Sequence, residues 1–253
     1  MDIVRSVRRT SALAVAVALL AAGSGGPAAA APVTDLTIRF DQARGGAGAV
    51  AVDGLRVTTG IRTANGGSAA IVAGRAGQGN ALRLPRPGAG QAILSVRSAV
   101  SGDRLSPGTR AFTFGADVRR DSGGSSDGDN LVQRGLADDA GQYKIELDGG
   151  RAACTVKGRA GKVIVTVGTS LAADVWYRVR CTRGAGGVKL TVTDLRNGSV
   201  RGAAASSPTG AVATRTADTP LSVGGKLTPR NGIATWQPDQ LNGTVDNVVL
   251  TIG

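Results

Sequence analysis

The chain has 253 residues, with 30 Lys and Arg against 18 Asp and Glu, a formal net charge of +12, and no histidine. The missing histidine excludes Ser-His-Asp and Cys-His catalytic arrangements and the usual zinc sites. Aromatic residues at 3% and dispersed arginines argue against specific nucleic-acid recognition, which needs stacking rings and dense basic patches. A basic surface still attracts anionic polymers such as acidic glycans, wall polyanions or nucleic acid.

Met1 to Ala31 reads as a signal peptide. Arg5, Arg8 and Arg9 form a charged start, and Ser11 to Ala22 is an apolar run too short to span a bilayer comfortably. Ala28-Ala29-Ala30 supplies a small-x-small cleavage pattern before Pro32. This segment carries +2 of the net charge, leaving +10 beyond it. The expectation is a protein secreted outside the cell, with no membrane attachment after cleavage. About 220 residues then remain, enough for one domain spanning 32–253.

From Leu36 onward, short alternating runs are separated by Gly, Asn, Asp and Pro turns. Strands are predicted at Leu36–Phe40, Ser68–Ala73, Asn80–Leu84, Ala92–Val96 and Ala111–Arg119. They continue at Asn130–Arg134, Gln142–Leu147, Arg151–Lys157, Lys162–Val167, Val175–Thr182 and Val188–Thr193. Leu221–Gly224 and Thr244–Ile252 close the series. Gly202 to Pro208 reads as a flexible loop, and Asn197-Gly198 and Asn242-Gly243 as tight turns. So many strands in one domain imply an all-β fold, two stacked antiparallel sheets in a β-sandwich of jelly-roll type.

The two cysteines fall in two of these strands. Val175, Tyr177, Val179 and Cys181 share one face of theirs, and Cys154 and Val156 share one face of theirs. If both faces meet the same core, a Cys154–Cys181 disulfide follows. Export favours that oxidation over two buried free thiols.

Several segments occur in an order that resembles a known superfamily. They are Phe112-Thr-Phe-Gly-Ala-Asp-Val, Asn130-Leu-Val-Gln-Arg-Gly, Tyr143-Lys-Ile-Glu-Leu, the Cys154 strand and Trp176-Tyr-Arg-Val-Arg-Cys. Pro220-Leu-Ser-Val-Gly-Gly-Lys and Asn242-Gly-Thr-Val-Asp-Asn-Val-Val-Leu complete the set. Together they resemble the laminin-G-like, or concanavalin A-like lectin/glucanase, jelly rolls in a secreted bacterial form. That superfamily holds lectins, glycan-binding modules, adhesion modules, glycosidases and lyases, so the fold leaves the function open.

Glycoside hydrolysis needs two carboxyl groups flanking the scissile bond. Glu146-Leu-Asp148 resembles the start of the Glu-x-Asp-x-x-Glu motif of jelly-roll glucanases. Arg151 stands where the second glutamate belongs, and Glu146 is the chain's only glutamate. The expectation is a protein without catalytic residues.

The resemblance also implies a possible Ca2+ site. Calcium takes six to eight oxygens, partly from loops. One candidate set is Asp127 and Asp129 in the loop Asp121 to Asn130. The other is Asp41 after the first strand with Asp246 in the last. The alternative is aspartates that only shape turns. For sugar contact, Trp236 in a polar loop before the last strand and Tyr143 are the ring candidates, whereas Trp176 and Tyr177 fit core packing. These features lead to a non-catalytic binding module for an extracellular glycan or anionic wall polymer. A structural or protein-interaction module, or a polysaccharide-active enzyme, remains open.

Overall fold

Alternation of apolar and polar side chains is what builds this molecule. The computed structural model describes residues 34–41, 51–123 and 127–253. Residues 1–31, expected from the sequence to be a signal peptide, and the middle of the loop between Asp121 and Asn130 lie outside them.

Sixteen strands are present among the described residues. The first eight are β1 (Thr34–Arg39), β2 (Ala51–Gly54), β3 (Val57–Ala64), β4 (Ala70–Ala73), β5 (Asn80–Arg83), β6 (Gln91–Ser98), β7 (Phe112–Arg120) and β8 (Asp127–Arg134). The rest are β9 (Gln142–Asp148), β10 (Arg151–Gly158), β11 (Gly161–Thr166), β12 (Trp176–Gly184), β13 (Gly187–Asp194), β14 (Val200–Ala205), β15 (Leu221–Val223) and β16 (Gly243–Ile252). They form two antiparallel sheets. The nine-stranded sheet runs β14-β13-β12-β7-β16-β1-β2, with β5 on β16 and β4 on β5. The seven-stranded sheet runs β11-β10-β9-β8-β15-β6-β3. Strands distant in sequence sit side by side, as β7 does between β12 and β16, which gives the expected sandwich its jelly-roll crossovers.

The core lies between the sheets. Tyr177, Val179 and Cys181 of β12 point inward with Phe114, Ala116 and Val118 of β7. Tyr143, Ile145 and Leu147 of β9 meet them from the other sheet with Cys154 and Val156 of β10. Cys154 and Cys181 are bonded, with Cα atoms 6.3 Å apart. The bridge ties β10 of one sheet to β12 of the other. Closing 27 residues stabilises by roughly 3.5 kcal/mol in the chain-entropy model, an upper figure.

Three strands depart from the sequence reading. β2 and β3 fall in a Gly- and Thr-rich stretch with no clean alternation, and pairing with β1 and β6 organises them. β14 occupies part of the expected loop at 202–208. Its Ala and Gly residues have little strand preference, but the edge of β13 fixes them over Val200–Ala205. Asn197-Gly198 is the turn before it, with Ser199 N donating to Asn197 Oδ1 at 2.9 Å. Asn242 is no turn: it is buried, and its Nδ2 donates to Pro85 O at 2.8 Å.

The two outer faces differ. On the nine-stranded sheet, Asp117 of β7 accepts two bonds from Arg178, both 2.9 Å. It takes further bonds of 3.2 Å from Arg180 and from Asn247 Nδ2. On the seven-stranded sheet the outer residues include Ile93, Ser95 and Arg97 of β6, Ser222 of β15 and Gln133 of β8. Ser95, Ser222 and Gln133 are buried there, under the segment that joins β15 to β16.

Candidate functional site

That joining segment, residues 224–242, is pinned at many points. Lys226 N donates to Pro238 O at 2.8 Å, and Ala234 N to Lys226 O at 3.1 Å. Gln240 Oε1 accepts from Ala92 N of β6, and Asp239 O accepts from Asn130 N of β8. Lys226 Nζ pairs with Asp239 Oδ2 at 2.7 Å in a mostly buried contact. Gly225 lets the segment lie close to the sheet, since a Cβ there would come within 2.5 Å of Ile93 Cδ1. At Asn231 the chain takes a positive φ of 67°. Its amide is oriented with the nitrogen 2.6 Å from Ser95 Oγ and the oxygen accepting from Arg62.

On this fixed support sits Trp236, 69% exposed. Ala234 beside it is fully buried and accepts from Gln237 N at 3.1 Å, so the turn that carries the indole is anchored. The ring lines an open cleft of about 710 Å³. Arg97, Arg215 and Arg230 line the same cleft, together with Asp218 and the hydroxyl-bearing Thr216 and Thr228. Arg97 reaches Asp218 at 3.5 Å, and Arg215 reaches Asp139 at 3.8 Å. An exposed ring with arginines and hydroxyls around it can offer a flat apolar face, charge and hydrogen bonds to one ligand.

Sequence reasoning singled out Trp236 but not the arginines. They lie on β6 and on the segments before and after β15, with Arg97 118 and 133 residues before Arg215 and Arg230, and only the crossover topology gathers them. Tyr143 takes another place than expected. It is 1% exposed, edge-on to Phe112 and Phe114, and its hydroxyl donates to Leu105 O at 2.9 Å. Burial pushes its phenol above the ordinary value. Its strand phase with Ile145 and Leu147 puts it in the core, so it is no ligand contact in this structure. Glu146 faces outward and pairs with Lys144, while Asp148 stands opposite Arg151 across the hairpin.

The carboxylates separate into two groups. Asp129 is buried on β8 and lines a cleft with Asp239 and Gln240; the side chain of Asp127 lies outside the described residues. Asp121 of the same loop is held bidentately by Arg83, at 2.6 and 2.5 Å. Asp246 is different. It is buried in β16 beside a bulge, and its Oδ1 has no hydrogen-bond partner. Burial raises its pKa to about 6; a bond from the Asn247 backbone opposes the rise, and the charges of Asp41 and Asp117 add to it. Asp41 accepts from Asn80 N through Oδ1 at 2.9 Å. Gly79 passes so close that a Cβ would meet that oxygen at 1.9 Å. What this place offers a cation is one orphaned buried oxygen of Asp246 and the charge of Asp41, whose Oδ1 already accepts from Asn80. Among the described residues, no group of three or more His, Cys, Asp or Glu side chains is gathered for a metal.

No family model matches the chain, and no curated protein matches it in sequence. Solved structures do. Domain 4 of AbnA, a GH43 extracellular arabinanase from Geobacillus stearothermophilus, in complex with arabinotriose, is 15% identical with a TM-score of 0.53; the match covers 78% of this chain and 82% of that one. A structure of botulinum neurotoxin type C, whose cell entry depends on two ganglioside molecules, is 11% identical with a TM-score of 0.57, over 85% of this chain and 47% of that one. The LG1-3 region of the laminin α2 chain is 16% identical with a TM-score of 0.48, over 79% of this chain. The likeness to the AbnA domain and the toxin is one of fold, a sandwich of two antiparallel sheets. The chain spans about a third of that laminin region and about half of the toxin fragment.

Among the described residues, no helix is long and apolar enough to cross a membrane.

Proposed function

We propose that this chain is an exported, non-catalytic binding module, a single domain over residues 32–253, for an extracellular glycan or cell-wall polymer. The observation that carries the reading is Trp236. A protein that buries Leu36, Phe40 and Leu250 completely leaves its indole in water, on a turn bonded to the sheet beneath. Exposed apolar residues are ordinary when scattered, but this one lines a cleft with hydroxyls and guanidinium groups. A sugar offers what that surface can pair with: C–H groups for the ring face and hydroxyls for the polar rim. The arabinotriose held by the AbnA domain and the ganglioside dependence of the toxin support a saccharide on this fold.

Calcium has a supporting role in this reading. Asp246 and Asp41 would hold it, completed by backbone oxygens and water, as calcium prefers. It would neutralise a carboxylate that burial otherwise keeps costly and would tie the first strand to the last. Calorimetry tests this directly: chelated protein giving no heat on calcium addition would end the assignment.

The test of the module is retention on insoluble polysaccharides and purified cell walls at low and high salt. Retention that survives high salt and falls at least tenfold in Trp236→Ala supports it. Retention unaffected by Trp236→Ala would move the reading to a structural or protein-interaction module.

A further inference from the structure

We propose that the Trp236 cleft takes acidic saccharide units: the sugar ring lies on the indole while its carboxylate or phosphate pairs with Arg230, Arg97 and Arg215. This rests on the binding-module reading and narrows it to a ligand class.

The charge around the cleft is unbalanced. Three guanidinium groups line it against one carboxylate, Asp218. Arg230 is exposed and makes no ion pair among the described residues. Arg97 and Arg215 reach their counter-ions only at 3.5 and 3.8 Å, through side chains 43% and 70% exposed. Exposed pairs of this kind are worth little and exchange readily. Other arginines are held firmly: Arg83 forks onto Asp121 at 2.6 and 2.5 Å, and Arg178 onto Asp117 at 2.9 Å. Three guanidinium groups that no rigid partner holds therefore stand beside the exposed ring, within reach of one ligand. Arginine matters here, because its planar fork bonds both oxygens of a carboxylate or phosphate where an ammonium acts as a point charge.

One ring also limits the ligand. A nucleic-acid strand is gripped by successive aromatic platforms along a basic groove, and the cleft has a single indole with Thr216, Thr228 and Asn231 around it. That combination suits one sugar ring with hydroxyls and an acidic substituent.

The test uses matched polymers: polygalacturonate against its carboxyl-reduced form, and phosphomannan against dephosphorylated mannan, with single-stranded DNA alongside. Wild type is compared with Arg230→Ala and with Lys189→Ala, which removes the same charge from the opposite outer face. Binding to at least one acidic glycan should exceed its neutral counterpart by tenfold or more; which one shows whether carboxylate or phosphate is read. Arg230→Ala should weaken that binding about fivefold and Lys189→Ala less than twofold. Equal losses in the two variants would reduce the effect to overall charge and overturn the inference. Equal binding of acidic and neutral forms, lost in Trp236→Ala, would overturn it while leaving the glycan module standing. Single-stranded DNA bound as tightly through Arg230 would overturn the saccharide class. No retention on any polymer would remove both readings.

Discussion

The two outer faces of the sandwich use the same residue types to opposite ends. On the nine-stranded sheet, Arg178, Arg180 and Asn247 converge on Asp117, and the charges are spent within the protein. On the seven-stranded sheet a long segment covers the strands, and Trp236 and Arg230 are left facing water. Arginine count is therefore a poor guide to binding. What counts is whether the guanidinium already has a rigid partner.

The largest effect that tests this contrast is on stability. Asp117→Ala strips the shared acceptor from two arginines, one of them largely buried, where burial lowers the Arg180 pKa to about 10 and Asp117 opposes the fall. Breaking a pair of this kind should cost about 2 to 3 kcal/mol in urea unfolding, with retention on polysaccharide unchanged. A large loss of retention would break the contrast. Next comes Trp236→Ala, which should lower retention about tenfold, or about 1.4 kcal/mol. Its unfolding midpoint should stay close to wild type, since exposed substitutions usually move stability by under about 0.5 kcal/mol.

A third test concerns the edge between β16 and β1. Asp246 titrates near 6 in the folded protein and near about 4 unfolded. Between those values the folded state binds more protons, so stability should fall as pH rises from about 4 to 6 and stay lower above. Urea unfolding across that range in chelator should show the fall, and Asp246→Asn should remove it. Added calcium should shrink it in wild type alone. The smallest effect is expected from Arg178→Ala. Its side chain is 46% exposed, Arg180 still holds Asp117, and the cost should stay under about 1 kcal/mol.

Much of the fold was legible because alternation over strands such as β12 and β9 records which face is buried. The disulfide followed from the same phase: Cys181 moves with Val179, and Cys154 with Val156. β2, β3 and β14 were not legible, since Thr, Gly and Ala carry weak patterns and only their partners hold them extended. Tyr143 was readable and was misplaced; its position two before Ile145 already puts it on the core face. Trp236 stood out by its polar surroundings. Arg97, Arg215 and Arg230 carry no local signal, because what joins them is the path of β15 between β6 and β8.

Beneath the cleft lies Arg134, wholly enclosed. Its Nε donates to Thr219 O at 2.9 Å and one terminal nitrogen to Ala217 O at 3.1 Å, while Asp103 at 2.8 Å balances its charge and Ser106 accepts a further bond. Residues 217 and 219 flank Asp218, so the cleft wall is nailed from below. Thr216 shares in that anchoring, its hydroxyl 3.0 Å from that of Thr219, whereas the side chains of Arg215 and Asp218 make only loose pairs at 3.8 and 3.5 Å. Lineages descending from this protein can exchange Arg215 and Asp218 and inherit an undisturbed frame, so ligand preference can drift from descendant to descendant while the scaffold stays put.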